Sequence, residues 1–302
     1  MAAVLVLTNE LAGRTEAAAV QQAVDVLSTA GRVERVTCSS ADDLERALDS
    51  RSGRTLVVVG GDGSLHTTLR RLWQRGEAAD CVVGLIPLGT GNDFARGVGI
   101  PLDPVAAAHA LVSGVVTPLD LIVDDADGVV VNAVHVGAGA EAALAARPLK
   151  PWLKIAAFPI GAVLAGFRAK GWRLRVRVDG VRVASGRRRV LMVGLSNAPS
   201  IAGGTALLGP DASPVDGRVD VTVSFATGPL ARVGYAWALR RGAHPAREDV
   251  RQLTGREVAV AGDPFWVNAD GELSGPVTAR TWRLVPAAWQ LRLPADSPTA
   301  SE

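Results

Sequence analysis

The sequence is poor in cysteine, lysine and aromatic residues. It contains two cysteines and one tyrosine among 302 residues, and its aromatic fraction is 4%. Cys38 and Cys81 lie far apart with no second pair, which excludes a disulfide framework or a cysteine-rich metal cluster. We assign neither cysteine a role.

Long apolar runs are also missing. The longest, from Ile155 to Phe167, has 13 residues, whereas a helix needs roughly 20 to span a bilayer. The first residues, MAAVLVLTNE, lack the basic segment and long apolar run of a signal peptide and are typical of a buried strand. We therefore expect a cytoplasmic protein without a transmembrane helix.

The formal net charge of +2 conceals an uneven distribution. Residues 1–145 contain 10 basic and 18 acidic residues, whereas residues 146–190 contain 12 basic residues and one acid, Asp179. Within the second stretch, Lys150, Lys154, Arg168 and Lys170 flank an apolar helix candidate. Such a segment favours contact with an anionic membrane. Alternatively, the apolar helix packs on its own domain and the arginines form a solvated face.

The pattern of apolar residues changes near residue 123. Before it, β-branched runs alternate with helical patterns, which predicts an α/β domain with a parallel sheet over residues 1–123. After it, short runs of period two are separated by glycine-containing turns, which predicts an antiparallel β-sandwich domain over residues 124–293. We expect residues 294–302 to be a disordered tail.

Two glycine-rich loops follow predicted strands of the first domain. Gly60-Gly61-Asp62-Gly63-Ser64 opens a helix, where small residues and backbone N–H groups let phosphate oxygens approach. This loop is neither a Walker A sequence nor GxGxxG, and alone it could be a structural turn. The second loop runs from Pro87 to Arg96, and in a parallel sheet both loops emerge at the same carboxyl edge.

Two carboxylates surround a turn glycine late in the chain, at Asp270-Gly271-Glu272. One could accept the proton of an attacking hydroxyl while the other helps to hold Mg²⁺. The alternative is an exposed acidic turn.

Taken together, these motifs resemble the diacylglycerol kinase catalytic family, which includes bacterial lipid kinases and sphingosine kinases. The resemblance rests on GGDGS, PLGTGNDFAR, NAVHVGAGAEAA, GGTALLGPDASPVDGRVDV and the late DGE, in that order over nearly the whole chain. PLGTGNDFAR is the most specific, since GGDG also occurs in NAD kinases and phosphofructokinases.

The resemblance implies an ATP-binding site in the first domain and a catalytic base, Glu272, with Asp270 beside it. The positions that match the ATP-binding motifs are Thr37, Gly60, Gly61, Asp62, Gly63, Ser64, Leu65, His66, Gly89, Thr90, Gly91, Asn92 and Asp93.

Magnesium enters the resemblance at two places. A structural Mg²⁺ near the DG of the β-domain would be held by one carboxylate and backbone carbonyls, implicating Asp216 with Ser213 and Arg218. In addition, Asp62, Asp93 and Asp120 are candidates for the polar network around the nucleotide-bound Mg²⁺.

The sequence departs from the family pattern beside these motifs. Residues 9–13 lack the proline of the usual Asn-Pro-x-Ser-Gly turn, and Glu141 stands for an aspartate. His66-Thr67 replaces the common Asn-Glu, and Val215 replaces the first of two aspartates. His66 either donates a hydrogen bond at the nucleotide or is a helix-surface histidine.

We therefore expect an ATP- and Mg²⁺-dependent lipid kinase, whose substrate is diacylglycerol or a related membrane lipid and whose β-rich domain binds the lipid. The expected partners are the lipid and, peripherally, the membrane; no nucleic acid is expected, and a homodimer is left open. Two alternatives remain: a kinase of a soluble compound, such as an NAD kinase, and a catalytically silent regulator that binds nucleotide or lipid.

Overall fold

The computed structural model describes residues 3–8, 14–146 and 171–300. The chain divides into two units, Met1–Asp120 with Pro286–Glu302 and Leu121–Val285. The predicted apolar helix with its lysines, and the turn at residues 9–13, lie outside the described residues.

Among the described residues, the helices alternate with strands in the first unit and are fewer in the second. They are α1 Arg14–Ser28, α2 Ala41–Asp49, α3 Asp62–Gln74, α4 Asp93–Gly97, α5 Pro104–Ser113, α6 Ala138–Ala146 and α7 Pro229–Arg240, with 3₁₀ turns at His244–Ala246 and Pro298–Ala300. The strands are β1 Ala3–Thr8, β2 Arg32–Thr37, β3 Thr55–Gly60, β4 Val82–Pro87, β5 Val115–Asp124, β6 Val129–Val130, β7 Ala133–Gly137, β8 Leu174–Val178, β9 Val181–Ser185, β10 Met192–Ser196, β11 Ser200–Ile201, β12 Ala206–Leu207, β13 Val219–Ser224, β14 Val250–Gly255, β15 Glu257–Ala269 and β16 Glu272–Leu293.

The first unit contains a parallel sheet in the order β2-β1-β3-β4, with Gln290 and Leu291 of β16 beside β4. The central strands β1, β3 and β4 are buried almost throughout, whereas the edge strand β2 is largely exposed. Continuous apolar runs are typical of parallel strands covered on both faces. The predicted α/β fold of this part is confirmed.

The second unit is antiparallel. Its strands follow the order β14-β13-β10-β7-β15-β16, and β8 pairs with β15 and with β9. Val136, Val193, Val221, Phe265 and Trp282 belong to its buried core. The predicted antiparallel β-sandwich class is confirmed.

The predicted ends of the second domain differ from the structure. Pro286–Glu302 belongs to the first unit, whereas the predicted β-rich domain extends to residue 293. Disorder from residue 294 onward is wrong for residues 294–300. Ser297 and Thr299 are buried, and the Ser297 hydroxyl donates to the Val98 carbonyl oxygen at 2.7 Å. This buried hydrogen bond fixes a segment whose polar composition alone predicts disorder.

Candidate functional site

The first candidate region is the carboxyl edge of the parallel sheet. In register, Thr8 of β1 lies opposite Thr37 of β2, and Gly60 of β3 lies opposite Pro87 of β4. The hydroxyl oxygens of Thr8 and Thr37 are 3.3 Å apart. The two glycine loops therefore start from neighbouring strand ends, as the sequence predicts, and Thr37 ends β2 at the same edge.

The two loops touch through their glycines. A Cβ atom on Gly89 would lie 2.8 Å from the Gly61 Cα atom, and one on Gly61 would lie 3.1 Å from the Gly89 Cα atom. The neighbour in each case is backbone, which cannot turn aside as a side chain can. The Leu88 N–H also donates to the Gly60 carbonyl oxygen at 3.0 Å. Glycine at positions 61 and 89 is therefore required for the loops to pack at this distance.

The first loop is itself the start of a helix. Gly61 is the N-cap of α3, no side chain caps this helix end, and Asp62, Gly63 and Ser64 form its first turn. Gly63 is exposed, and a Cβ atom there would meet nothing within 4 Å beyond its chain neighbours and its own helix backbone. Such a helix start, with open space in front of a glycine, is suited to an anion because N–H groups and the helix dipole point outward.

Asp62 holds the second loop in place. Its carboxylate oxygens accept hydrogen bonds from the backbone N–H groups of Asp93, at 3.0 Å, and Phe94, at 3.2 Å. These groups begin α4, whose own N-cap, Asn92, makes no capping bond and has a left-handed backbone with φ of 53°. Asp62 therefore caps a helix 30 residues further along the chain.

The side chain of Asn92 closes the second loop on itself. Its amide oxygen accepts from the Gly89 N–H at 3.1 Å, and its amide nitrogen donates to the Gly89 carbonyl oxygen at 2.8 Å. Thr90 is exposed at the tip of the loop. Gly91 lies beside Asp62, and a Cβ atom on Gly91 would be 3.2 Å from an Asp62 carboxylate oxygen. The most specific motif of the sequence is thus a rigid, internally bonded loop.

The remaining residues predicted in this region have different environments. Leu65 and His66 are buried in α3, so His66 is not a helix-surface histidine. Asp93 is half-buried at the start of α4. Asp120 is buried, and its carboxylate accepts from the Ala287 N–H at 2.9 Å, which ties the last strand to the first unit. The magnesium roles of Asp62, Asp93 and Asp120 stay predictions.

In the second unit, Asp270 organises the turn between β15 and β16. Its carboxylate accepts backbone N–H groups of Val131 at 2.6 Å, Asn132 at 3.0 Å and Ala133 at 3.0 Å. Its own N–H donates to the Ala133 carbonyl oxygen at 3.0 Å, and its φ is 48°, in the left-handed region. Asp270 is therefore an anchor that connects this turn to a segment almost 140 residues away.

Glu272, the predicted base, is the first residue of β16 and is exposed. It lies opposite Ala269 in the hairpin, directly after the anchored turn. The two carboxylates of the DGE motif thus differ in environment: Asp270 is bonded to backbone, and Glu272 faces solvent.

His135 lies near this turn. It is paired with Asn268 in the sheet and is buried. Burial lowers the pKa of His135 to about 4, while the Asp270 carboxylate acts in the opposite direction. His135 is therefore neutral near pH 7. No spacing signal marks it, because its neighbours come from strands far apart in sequence.

The predicted structural metal position lies on the loop before β13. Asp216 is exposed, and its carboxylate accepts the Arg218 N–H at 2.8 Å. Burial raises the pKa of Asp220, Gln252 lowers it, and the carboxylates of Asp216 and Asp211 raise it further. A cation would relieve that repulsion, and a carboxylate with backbone carbonyls is a suitable donor set for Mg²⁺.

The apolar helix candidate flanked by Lys150, Lys154, Arg168 and Lys170 lies outside the described residues. In the part of the chain that the structure describes, no three His, Cys, Asp or Glu side chains form a metal-holding group. Nor does that part contain a helix long and apolar enough to cross a membrane.

Comparison with known proteins assigns both units. Residues 3–123 match the diacylglycerol kinase catalytic domain, and residues 132–293 match the YegS C-terminal NAD kinase beta sandwich-like domain. A solved diacylglycerol kinase from Bacillus anthracis superposes with a TM-score of 0.70 over 97% of this chain and 96% of its own, at 16% identity. This likeness shows that the two chains share a fold. The matched domain places this chain in the class of kinases with a diacylglycerol kinase catalytic domain.

Curated relatives narrow the class. The chain is 34% identical over 318 residues to a "Probable lipid kinase YegS-like" of Pseudomonas aeruginosa, covering 99% of this chain and 96% of the relative. A protein of the same description from Xanthomonas oryzae is 31% identical over 260 residues, covering 81% and 80%. The chain belongs to the YegS-like lipid kinase family.

Proposed function

We propose that this protein transfers the γ-phosphoryl group of ATP to the hydroxyl group of a membrane lipid, diacylglycerol or a close relative. The observation that carries the proposal is the pair of interlocked glycine loops at the carboxyl edge of the parallel sheet. A Cβ atom on Gly89 would lie 2.8 Å from the Gly61 backbone, and Gly63 faces open space at a helix start. In a lipid kinase family member, such a cradle suits nucleotide phosphates.

Phosphoryl transfer requires positioning and charge neutralisation more than covalent chemistry, because its transition state is loose. The backbone of residues 60–64 and of residues 89–93 would hold the ATP phosphates, with Thr37 at the same edge. Asp62 supports this role indirectly, since its bonds to the Asp93 and Phe94 N–H groups fix one loop relative to the other. Positioned amides need no reorganisation during the reaction.

Magnesium would neutralise phosphate charge when it is bound with the nucleotide. A separate structural Mg²⁺ would be held by Asp216 with the backbone of Ser213 and Arg218. The donor set fits, and the influence of Asp216 and Asp211 on the pKa of Asp220 indicates a negative potential there. The Arg218 side chain is not part of that set, because its guanidinium donates to the Thr254 hydroxyl at 3.2 Å.

Glu272 would accept the proton of the lipid hydroxyl as general base. Its carboxylate is exposed, and the adjacent turn is anchored by the three backbone hydrogen bonds of Asp270. A base that starts from an anchored turn has a defined position, which a proton acceptor needs. Asp270 is then a positioning residue rather than a second base.

A soluble acceptor is the competing proposal, favoured by the NAD kinase beta sandwich-like description of the second domain. Its acceptor would be NAD or another soluble hydroxyl compound. The second loop, PLGTGNDFAR, argues against a soluble acceptor, because NAD kinases have a different sequence in their second loop.

The test is label transfer from [γ-³²P]ATP with Mg²⁺ to a panel containing diacylglycerol, a sphingoid base, phosphatidylglycerol and NAD, the lipids in mixed micelles. We expect label in a lipid and none in NAD. Label in NAD alone would replace the lipid acceptor, and ATP binding without transfer to any acceptor would contradict the kinase proposal in favour of a silent regulator.

A further inference from the structure

Helix α7 exposes three large apolar side chains on one face. Leu230, Val233 and Trp237 are 88%, 62% and 57% exposed. Their spacing of three and four residues places them along one side of the helix. Scattered exposed apolar residues are ordinary, but a line of three on one helix face marks an interaction surface.

The opposite face of α7 already serves the core. Tyr235 is buried in a cluster with Met192 and Leu208, and Ala231 and Leu239 pack against the same cluster. The helix is therefore apolar on both sides, and the core accounts for only one of them. The outer face, defined by Leu230, Val233 and Trp237, is called the α7 face below.

The chain segment that carries the α7 face has charges of one sign only. Residues 221–247 contain no aspartate or glutamate. Arg240 and Arg241 are exposed at the end of the helix, and the Arg241 guanidinium lies 4.0 Å from the centre of the Trp237 ring. Arg247, in contrast, is engaged in an ion pair with Asp249 at 2.7 Å. Two exposed cations thus border the apolar line.

We propose that the α7 face docks on the surface of an anionic lipid bilayer. The helix would lie in the plane of the interface with its apolar line inserted, while the arginines remain at headgroup level. A tryptophan stacked with arginine suits that level, where one side is apolar and the other is wet and charged.

A bilayer fits this face better than a second copy of the chain. A stable protein interface uses roughly 20 to 30 residues a side, whereas the α7 face offers three apolar side chains and two like charges, which would repel their equivalents. The inference rests on the proposed function in one respect: a protein that phosphorylates a lipid has to reach the membrane.

The test is vesicle co-sedimentation of the full chain with phosphatidylcholine alone and with added phosphatidylglycerol. Val233→Asp is compared with Val181→Asp, which makes the same change at a valine that is 68% exposed on a different element. We expect Val233→Asp to lower partitioning into anionic vesicles at least ten-fold and Val181→Asp to change it less than two-fold. Replacing Arg240 or Arg241 by Gln should lower it about five-fold each.

Three outcomes overturn the proposal: wild type that does not bind anionic vesicles, equal loss in both aspartate variants, or a dimer in sedimentation velocity that Val233→Asp dissociates. Transfer of labelled phosphate to lipid in detergent micelles is measured in parallel with vesicle binding, because micelles deliver the lipid without a bilayer. Vesicle binding that depends on α7, with no transfer to any lipid, would keep the docking inference and remove the proposed kinase reaction.

Discussion

Asp270→Asn should destabilise the second unit strongly. The Asp270 carboxylate accepts three backbone N–H groups at 2.6 to 3.0 Å, from Val131, Asn132 and Ala133. An asparagine has the same shape and tolerates the left-handed backbone. It has only one acceptor oxygen, however, and its NH₂ group would face a backbone N–H, which is also a donor. The substitution therefore isolates the effect of the carboxylate from the effect of the turn geometry.

The magnitude follows from the hydrogen bonds. A hydrogen bond to a charged group contributes about 1.5–3 kcal/mol net, and a partly buried donor left without a partner costs a similar amount. Because the asparagine oxygen can still accept one or two of the three N–H groups, we expect a loss of about 3 kcal/mol. Urea unfolding followed by tryptophan fluorescence should show a midpoint lowered by about 1 M or more.

The control is Asp127→Asn. Asp127 also has a left-handed backbone, with φ of 60°, but it is exposed in a surface turn. We expect its effect to stay within about 0.5 kcal/mol. If Asp270→Asn changed the free energy of unfolding no more than this control, the anchoring role of the carboxylate would be refuted.

Further predictions concern the glycine loops and pH. Gly89→Ala should reduce both stability and ATP affinity, because the new Cβ would lie 2.8 Å from the Gly61 Cα atom. Gly63→Ala should keep the fold and weaken ATP binding alone, because its Cβ would meet nothing within 4 Å beyond its chain neighbours and its own helix backbone. Unchanged calorimetric ATP affinity in Gly63→Ala would argue against phosphates at this helix start. Because burial lowers the pKa of His135 to about 4 from 6.5, the folded protein binds fewer protons than the unfolded chain between these pH values. Stability should therefore fall as pH drops from 6.5 to 4, by about 3 kcal/mol more in wild type than in His135→Gln, and equal pH slopes in urea unfolding would contradict the assignment.

Local patterns predicted most of the first unit. The β-branched runs and the glycine loops gave β1, β3 and β4 and the edge at which the loops meet, because strand burial and turn chemistry are local properties. In α3, Leu65, Leu69 and Leu72 are buried, and their spacing of three and four residues places them on one face of the helix.

Contacts between distant residues could not be read in this way. Asp62 appears in the sequence as a candidate for magnesium, yet it caps α4, and Asp270 appears as a chemical carboxylate, yet it anchors residues 131–133. Both roles depend on which backbone N–H groups the fold brings near, and spacing carries no information about that. The return of residues 286–300 to the first unit is missed for the same reason.

The start of helix α7 has a local sequence signal. Gly228 precedes Pro229 at the first helical position, and proline is favoured there because its missing N–H needs no partner. The exposure of Leu230 and Trp237, in contrast, requires the three-dimensional structure, because an apolar residue on a helix is expected to face the core.

The most direct test of the kinase reaction is a paired measurement on Glu272→Gln: ATP affinity by calorimetry and label transfer from [γ-³²P]ATP to the lipid that wild type phosphorylates. We expect unchanged ATP affinity and thermal stability, with transfer lowered by about 100-fold or more because the proton acceptor is removed. Transfer at a rate near that of wild type would contradict the assignment of Glu272 as the base.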